Sequence, residues 1–580
     1  MQRDIYKLAR MLEEAALLME IRGDNGFKTK AYTNGAEIIR SNSDTVNTAN
    51  TAEELTHIAG IGKALSEKII EYKETGELRF YNAILEEMPA TLLDLAKLKG
   101  LGPKKTAQLY NQYSVKDIPS LDKFVSSGEI NNVKGFGPKS IATLQKNIDY
   151  KKKTTGHLLL STATEEAESI AQNLLEYEFI NKVGITGEIA QAQESVSQID
   201  IAIGFDSDRL NENDQLSLVA KEILREARTV DNGFGSSVIS YTNKGKRKVL
   251  LHFTDVSNFH WLNHYLSMEK EYEESFVNFL SDTGWDITNR INPTKSGNKV
   301  EFKSKEEVYD KAGLQYVPTE LRSEAQTVHF AANGYLPKLV ESADLRGLIH
   351  CHSTWSDGKN TISEMAEAAR SKGMNYMLIT DHSQTAAYAN GLTPDRIKRQ
   401  HEEIDKLNEA YKGKFKILKG IESDILPDGS LDYEDSVLES FDAIVGSVHG
   451  QFDLDIKKQT QRIARALSNP YLSILGHSTG RLLLRRPGYK LDMDEILAAA
   501  AANGKVIEIN SNPYRLDISW RYLKEGKSQG IKFSINPDAH NTLGISHVEY
   551  GVKMARRGWL SSEDIVNTYD SSAFLASFKK

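Results

Sequence analysis

The sequence predicts a multidomain protein with a helical N-terminal region, an α+β middle and a C-terminal α/β barrel. Three observations predict this order. Residues 1–150 repeat apolar side chains at helical spacing, residues 157–255 contain alternating and β-branched segments, and strand and helix patterns alternate from Leu345 onward. A chain of 580 residues is long enough for roughly three to five domains.

The composition is that of an ordinary globular protein, with 40% apolar and 26% charged residues and a net charge of −8. No apolar segment approaches the ~20 residues that cross a bilayer, and the N-terminus has no signal-peptide pattern. Cys351 is the single cysteine, which excludes an intrachain disulfide framework. We therefore expect a cytoplasmic protein that has no membrane partner and is a monomer.

The helical region contains one motif three times, at residues 59–69, 99–109 and 134–144. Each copy is a Gly-x-Gly turn that opens a helix and precedes a lysine. Backbone N–H groups at a helix N-terminus can hold a DNA phosphate without reading the base sequence, whereas the alternative is an ordinary turn between helices. The candidate DNA-binding residues are Gly60, Gly62, Lys63, Gly100, Gly102, Lys104, Gly135, Gly137 and Lys139.

The C-terminal region has seven candidate strands, and the sequence predicts a seven-stranded, TIM-like α/β barrel. The segments are GLIHCH, YMLITDH, KILKGIES, DAIVGSVH, LSILGH, KVIEIN and KFSINPDAH. Metal-ligand residue types lie at their C-terminal ends, where such barrels build active sites. They are His350, His352, Asp357, His382, Glu422, His449, His477, Asp538 and His540. His350 and His352 are two apart on a strand, so they should share a face, with Cys351 on the other.

Nine imidazole and carboxylate groups exceed what one ion can use, because a zinc ion takes about four ligands. Bridging carboxylates could share the set among two or three divalent ions. Such clusters suit phosphate ester hydrolysis, because they lower the pKa of a bound water and neutralise charge on the phosphoryl oxygens. The lack of sulfur ligands fits Mn²⁺, Zn²⁺ or Fe.

These motifs resemble the polymerase-and-histidinol-phosphatase (PHP) family, and all nine ligand positions match. The resemblance implies that Asp381, in the triplet Thr380–His382, orients His382. Residues 476–489 and 508–517 further resemble the PHP domain of bacterial family X DNA polymerases. That resemblance implies a Mn²⁺-dependent 3′–5′ exonuclease and 3′-end phosphoesterase, with Arg481 and Arg515 as candidates for gripping phosphate or, alternatively, as structural arginines.

The front half also resembles family X polymerases, with the Gly-x-Gly turns as helix-hairpin-helix motifs. Residues 31–40 and 58–78 look like the lyase-type domain of that family, and Lys68 falls at the position of its Schiff-base lysine. A plain helical surface lysine is the favoured alternative for Lys68. The partner that the resemblance implies is gapped or nicked DNA, or DNA 3′ ends, bound without sequence specificity.

The palm segment, residues 187–203, departs from the family pattern of Gly-Ser, two arginines and Asp-x-Asp. Gly187 remains, but Glu188 replaces the serine, Ala190 and Gln191 replace the two arginines, and Gln198 replaces the first aspartate. Asp200 is the carboxylate that survives in this segment. On the later strand, Leu250 occupies the position of the third aspartate. One carboxylate cannot organise the two Mg²⁺ ions that nucleotidyl transfer needs. We therefore predict a palm that keeps its fold and has lost polymerisation.

The resemblance implies a helical lyase-like domain (1–80), fingers (81–150), a degenerate palm (151–255), a thumb (256–325), a linker (326–344) and a PHP domain (345–580). Three alternatives remain. The first is a working gap-filling polymerase with proofreading, in which Asp206 or Asp208 replaces the missing carboxylates. The second is a small-molecule phosphatase of the histidinol-phosphate type. The third is a DNA-end-binding scaffold with a structural metal.

Overall fold

A computed structural model describes residues 5–98, 100–206, 228–231, 237–242, 247–288 and 293–578. They form two compact units, the first consisting mainly of residues 1–155 and the second of residues 156–484 and 488–580. Among the described residues, no helix is long and apolar enough to cross a membrane. The predicted fold class is confirmed, with a helical front, a mixed middle and a seven-stranded parallel barrel-like sheet at the end.

The first unit is helical, and its first helix, α1, contributes to two apolar cores. The N-terminal half of α1 packs with residues up to Leu78, and its C-terminal half packs with residues 84–148. The helices are α1 Ile5–Arg22, α2 Gly26–Ser41, α3 Ser43–Thr48, α4 Ala52–Thr56, α5 Lys63–Thr75, α6 Arg79–Glu87, α7 Leu92–Ala96, α8 Gly102–Tyr113, α9 Ile118–Ser126 and α10 Pro138–Lys153.

All three Gly-x-Gly turns open a helix, as the sequence predicts. Gly62 and Gly137 are the N-caps of α5 and α10, and α8 begins at Gly102. The first turn requires glycine for two reasons. Gly60 has a φ of +88°, and a Cβ at this position would lie 2.4 Å from the Cδ1 atom of Ile38.

The second unit begins with a five-stranded sheet in the order β2-β4-β7-β6-β5. Strands β4 and β7 are parallel and the other neighbours are antiparallel. The elements are β1 Leu158–Leu159, α11 Leu160–Leu174, β2 Ile180–Thr186, α12 Gly187–Ala190, β3 Ser195–Val196, β4 Gln198–Phe205, β5 Arg228–Asp231, β6 Ser237–Thr242 and β7 Lys248–Asp255.

A thumb-like helical segment with a small three-stranded sheet follows. Its elements are α13 Phe259–Leu266, α14 Lys270–Asp282, β8 Trp285–Asp286, β9 Thr294–Lys295, β10 Asn298–Lys299, α15 Lys305–Ala312 and α16 Gln326–Ala332. Residues 326–344, which the sequence analysis treats as a linker, are packed rather than extended. Val328, Ala331, Leu336 and Leu339 belong to the same apolar core as α13 and α14.

The C-terminal region is a seven-stranded parallel sheet whose strands follow chain order, with helices in the connections. Its elements are β11 Gly347–Cys351, α17 Ile362–Ser371, β12 Tyr376–Ile379, α18 Pro394–Tyr411, β13 Lys416–Asp424, α19 Asp435–Leu438, β14 Ala443–Ser447, α20 Ile456–Leu467, β15 Ile474–Leu475, α21 Met493–Ala502, β16 Val506–Asn510, α22 Leu523–Ser528, β17 Phe533–Asn536, α23 Val548–Arg557 and α24 Ser571–Ala576. The strands are buried on both faces, as parallel strands usually are.

The two ends of this sheet approach each other. The backbone N–H of His352, just after β11, donates to the carbonyl of Ala539, which follows β17, at 2.8 Å. Strand β11 is irregular, because the register shifts between Ile349 and Cys351 and His350 has a φ of +61°. The side chain of Cys351 is nevertheless separated from those of His350 and His352, as expected. It is buried, with its Sγ 3.6 Å from the carbonyl of Leu378.

Candidate metal centre

All nine predicted ligand residues converge at the C-terminal ends of the barrel strands. The nitrogen and oxygen atoms of eight of them form three groups, within each of which the ligand atoms lie within 4.8 Å of one another, and His477 Nε2 lies 3.0 Å from a Glu422 oxygen. The groups are His352, Asp357, His382 and His540; His350, His352 and Asp538; and His382, Glu422 and His449. Because His352 and His382 each belong to two groups, the three groups form one continuous cluster.

Two buried carboxylates organise the cluster. Glu422 lies at its middle, with oxygens 3.0 Å from His382 Nδ1, 3.3 Å from His449 Nε2 and 3.0 Å from His477 Nε2. Asp538 Oδ1 lies 3.3 Å from His352 Nε2. Burial by itself would raise the pKa of Glu422, but the surrounding imidazoles, led by His449, hold that pKa well below its usual range.

The donor set fits divalent cations. Several atoms of these side chains are buried and make no hydrogen bond of favourable geometry with the described residues, although carboxylates lie close to some of them. This is costly for polar atoms unless a cation accepts their lone pairs. These atoms are His350 Nε2, His352 Nδ1 and Nε2, His382 Nδ1, Glu422 Oε2 and His477 Nδ1. Imidazole and carboxylate ligands without sulfur match Mn²⁺, Zn²⁺ or Fe and do not distinguish among them.

Two residues that orient ligands were missed by the sequence analysis. Glu508, on β16, has Oε2 2.5 Å from His350 Nδ1, and Asp424, at the end of β13, has Oδ1 2.7 Å from His449 Nδ1. Each carboxylate holds one ring nitrogen and so directs the other toward the cluster. The sequence feature that could have indicated these two residues is an acidic side chain within a predicted strand or at its end, in the segments KVIEIN and KILKGIESD.

Asp381 has a different role from the one that the family resemblance implied. Its buried carboxylate accepts hydrogen bonds from the backbone N–H and the hydroxyl of Ser353 (2.8 and 2.7 Å), from both donors of Ser356 and from Gln400 Nε2. Its described hydrogen bonds therefore go to the loop before Asp357 and to α18, not to the ring of His382. Burial raises the pKa of Asp381.

The two predicted arginines lie in different surroundings. Arg515 Nε is 3.2 Å from Asp538 Oδ2, so Arg515 borders the metal cluster. Arg481 instead donates from Nε to the carbonyl of Arg515 at 2.8 Å and forms an ion pair with Glu194, which lies in the loop between α12 and β3. At the mouth of the cluster, the ring of Tyr388 is 72% exposed and its centroid is 6.2 Å from that of His382.

Asp200 lies on β4 of the five-stranded sheet, which we call the palm-like sheet. Asp200 is buried and lies 3.0 Å from His252 Nε2, and Leu250 is its register partner on β7. Gln198 donates to Asp200 at 3.0 Å. Gly187 remains necessary, because it has a φ of +58° and a Cβ would lie 2.6 Å from Asp200 Oδ2.

Other predicted palm residues lie away from Asp200. The carboxylate of Glu188 binds the backbone N–H and the hydroxyl of Ser197. Asp206 follows the far end of β4, six residues beyond Asp200, which corresponds to about 20 Å along an extended strand. Asp208 lies outside the described residues.

The helical unit exposes the lysines of its three turns. Lys63, Lys104 and Lys139 are all exposed at or near the starts of their helices. Lys68 is half-buried, with its Nζ 5.2 Å from the ring centroid of Phe80 and 5.9 Å from that of Tyr32.

Two protein-family models match parts of this chain. Residues 349–512 match the PHP domain and residues 6–78 match a helix-hairpin-helix domain. The first match covers seven of the nine converging ligand positions, and it ends before Asp538 and His540. The seven positions are His350, His352, Asp357, His382, Glu422, His449 and His477.

Similar proteins include one of nearly the same length. The chain is 33% identical over 573 residues to the DNA polymerase/3′-5′ exonuclease PolX of Bacillus subtilis (strain 168), and the matched region covers 98% of each protein. It is also 29% identical over 231 residues to a probable phosphatase of Thermoanaerobacter sp. (strain X514), which covers 38% of this chain and 89% of that protein. A probable phosphatase of Caldanaerobacter subterraneus is 26% identical over 223 residues.

Proposed function

We propose a function for this chain from the premise that it belongs to the PolX family of DNA polymerase/3′-5′ exonucleases. Its PHP region removes nucleotides or phosphate from the 3′ end of DNA with a cluster of divalent metal ions. The observation that carries this proposal is the convergence of nine imidazole and carboxylate side chains into one largely buried cluster, with Asp357 at its exposed edge. A structural zinc uses about four ligands, so a set of this size favours catalysis over a scaffold.

The roles of the side chains follow from their positions. Glu422, Asp538, Asp357 and the histidines would hold the ions. When bound, the ions would supply charge neutralisation on the phosphoryl oxygens and a lower pKa for the attacking water. Arg515 lies beside Asp538, where its guanidinium can bind a phosphate oxygen of the substrate. Glu508 and Asp424 keep His350 and His449 in the tautomers that present a nitrogen to the cluster.

DNA is the substrate that the rest of the chain favours. Three helix N-termini, each with an exposed lysine, can bind successive phosphates independently of sequence. The exposed ring of Tyr388 at the mouth of the cluster provides a stacking surface for the terminal base. These features support a nuclease that binds gapped, nicked or 3′-ended DNA, with Mn²⁺ as the proposed metal.

We further propose that the palm-like sheet no longer polymerises DNA, although the name of the Bacillus subtilis relative includes that activity. Support comes from Asp200, the surviving carboxylate of the 187–203 segment, which is already engaged by His252, and from Leu250 at the register position beside it. Two Mg²⁺ ions need several carboxylate oxygens, so one buried aspartate is insufficient. The strand distance to Asp206 argues against rescue by that residue.

One experiment tests both proposals. The protein is incubated with a 5′-labelled primer annealed to a template in Mn²⁺, with and without dNTPs, beside a His350→Ala/His352→Ala variant. We expect shortening of the primer that the variant abolishes, and no extension. Extension by the wild-type protein would refute the loss of polymerisation, and undiminished shortening by the variant would refute the proposed nuclease centre.

A small-molecule phosphatase is the second candidate, because two relatives named probable phosphatases match 38% and 36% of this chain. Comparing kcat/KM for a short phosphate monoester with that for DNA distinguishes the two. Turnover of the monoester by a protein that leaves every DNA end intact would favour the small-molecule activity.

A further inference from the structure

The palm-like sheet contacts the barrel through the loop that follows α12, residues 191–194. The carboxylate of Glu194 faces three side chains of the barrel, since Arg481 Nη2 and Ser519 Oγ each lie 2.9 Å from its Oε1 and Arg521 Nη1 lies 3.6 Å from its Oε2. The side chains of Glu194 and Arg481 are each 15% exposed. This largely buried ion pair therefore joins two elements that are 287 residues apart in sequence.

Arg481 also holds the loop that carries Arg515. Its Nε donates to the carbonyl of Arg515 at 2.8 Å, and its Nη2 donates to the carbonyl of Leu516. Leu516 has a φ of +43°, a left-handed conformation that is unfavourable for a residue other than glycine. A conformation of this kind persists only where neighbours hold it, and Arg481 is one such neighbour.

The far end of the same loop reaches the metal cluster. Arg515 Nε lies 3.2 Å from Asp538 Oδ2, and Asp538 forms one ligand group with His350 and His352. A continuous series of polar contacts thus runs from Glu194 through Arg481 and the backbone of residues 515–516 to Asp538.

A second contact attaches the same palm loop to the barrel. Arg557, whose side chain is 1% exposed, donates to the carbonyl of Gln191 and pairs with Glu269, and its guanidinium lies 4.3 Å from the ring centroid of Trp520. Two arginines of the barrel therefore hold the two ends of the loop, Arg557 at Gln191 and Arg481 at Glu194.

We propose that Glu194 is a positioning residue for the metal centre, and that it acts through Arg481 and residues 515–516 on Asp538. The palm-like sheet then serves as a supporting part of the nuclease, which gives a physical reason for keeping its fold. This inference rests on the proposed metal-dependent function of the barrel.

The effect requires the charge of Glu194. A buried guanidinium without its counter-ion is strongly unfavourable, so Arg481 would turn toward water or another acceptor when that charge is removed. The carbonyls of residues 515 and 516 would then lose their donor, and Arg515 would move relative to Asp538. Outer-shell partners of metal ligands tune metal affinity in this way.

The test uses the full chain and measures Mn²⁺ binding by calorimetry, without DNA. Glu194→Gln keeps the size of the side chain and removes its charge, and Glu188→Gln is the matched control, because the carboxylate of Glu188 binds Ser197 in the same segment. We expect Glu194→Gln to weaken Mn²⁺ binding about 10-fold, the lower end of the effect of outer-shell substitutions. The control should match the wild-type protein. Equal affinities of the Glu194→Gln variant and the wild-type protein would overturn the proposal.

A double-mutant cycle separates positioning from a merely structural role. Arg515→Met is combined with Glu194→Gln, and Mn²⁺ affinity is measured for both single variants and the double variant. Because the effect of Glu194 is transmitted through Arg515, the double variant should bind Mn²⁺ no more weakly than Arg515→Met alone. Fully additive losses would overturn the proposal.

Arg481→Lys provides a second variant in case Glu194→Gln does not fold. Lysine keeps the charge beside Glu194 but cannot also donate to both backbone carbonyls, so it should reproduce the loss of Mn²⁺ affinity. Wild-type affinity in that variant would refute the proposed route. The readout is metal binding, so the proposed function and this inference can fail separately. A wild-type protein that binds Mn²⁺ but cuts no DNA would count against the proposed function, and the Mn²⁺ affinities of the variants would still decide the role of Glu194.

Discussion

Glu508 Oε2 lies 2.5 Å from His350 Nδ1, and both side chains are fully buried. This pair places an orienting carboxylate directly behind a metal-ligand histidine, and the same carboxylate also accepts a hydrogen bond from Asn536 at 2.8 Å. Burial by itself would lower the pKa of His350, but Glu508 and Glu422 raise it well above its usual value.

We predict that Glu508→Gln weakens Mn²⁺ binding about 10- to 100-fold, the range for partners of metal-bound histidines. An amide oxygen in place of Oε2 could still accept from His350 and Asn536, but the N–H₂ group would then replace Oε1, which accepts hydrogen bonds from the backbone N–H of His477 at 2.9 Å and from Asn510 Nδ2 at 2.8 Å. Calorimetry and the Mn²⁺ dependence of nuclease activity would measure the effect, with Glu439→Gln, at an exposed position, as the control. Unchanged affinity would contradict the orienting role.

We predict that Asp381→Asn destabilises the protein by about 1–3 kcal/mol, because buried donors of Ser353 and Ser356 lose a charged acceptor. The loop that precedes Asp357 should loosen, and nuclease activity should fall with it. Urea denaturation followed by tryptophan fluorescence gives the free energy of unfolding. Asp395→Asn, at an exposed position, should change stability by much less; equal effects of the two substitutions would argue against the assigned role.

We predict that removing divalent metal lowers the melting temperature and that Mn²⁺ restores it. A ligand that binds the folded state alone stabilises it by about 2.7 kcal/mol at a concentration of 100 Kd. Thermal unfolding in EDTA, and then in increasing Mn²⁺, measures this effect. Asp200→Asn in the palm-like sheet should keep the full response, whereas His352→Ala should lose most of it, because His352 belongs to two ligand groups.

We predict that Tyr388→Ala raises KM for DNA about 10-fold, since base stacking on an aromatic ring is worth roughly 1–3 kcal/mol. Tyr388→Phe keeps the ring and should behave like the wild-type protein. A small chromogenic phosphodiester, which has no base to stack, should be hydrolysed equally by all three proteins. A comparable loss on that substrate would indicate damage to the metal cluster instead.

We predict that replacing Lys63, Lys104 and Lys139 with alanine weakens DNA binding to a similar extent for every base sequence. Each lost lysine–phosphate contact should reduce the slope of log Kd against log salt concentration by about one. Fluorescence anisotropy at several salt concentrations measures the slope. Lys116→Ala, an exposed lysine outside the three turns, is the control; an unchanged slope in the triple variant would argue against phosphate binding by these turns.

The convergence of the candidate ligands of the barrel was predictable from the sequence, because the strands of a parallel barrel all end at the same face. His382, Glu422 and His477 each follow a short apolar run, and placing those runs side by side brings their ends together whatever the details of packing. The helix-opening glycines were predictable for a similar reason, since the local backbone decides the position of each turn.

The partners of those ligands depended on the tertiary structure. Asp381 could be located beside His382 in sequence, but its contacts with Ser353 and Gln400 follow from how a loop and α18 pack. Glu194 and Arg481 pair across 287 positions, a contact that no periodicity specifies. Sequence patterns record which face of an element is apolar and where the element ends, whereas the direction of a buried polar side chain depends on which donors from distant elements remain unsatisfied nearby.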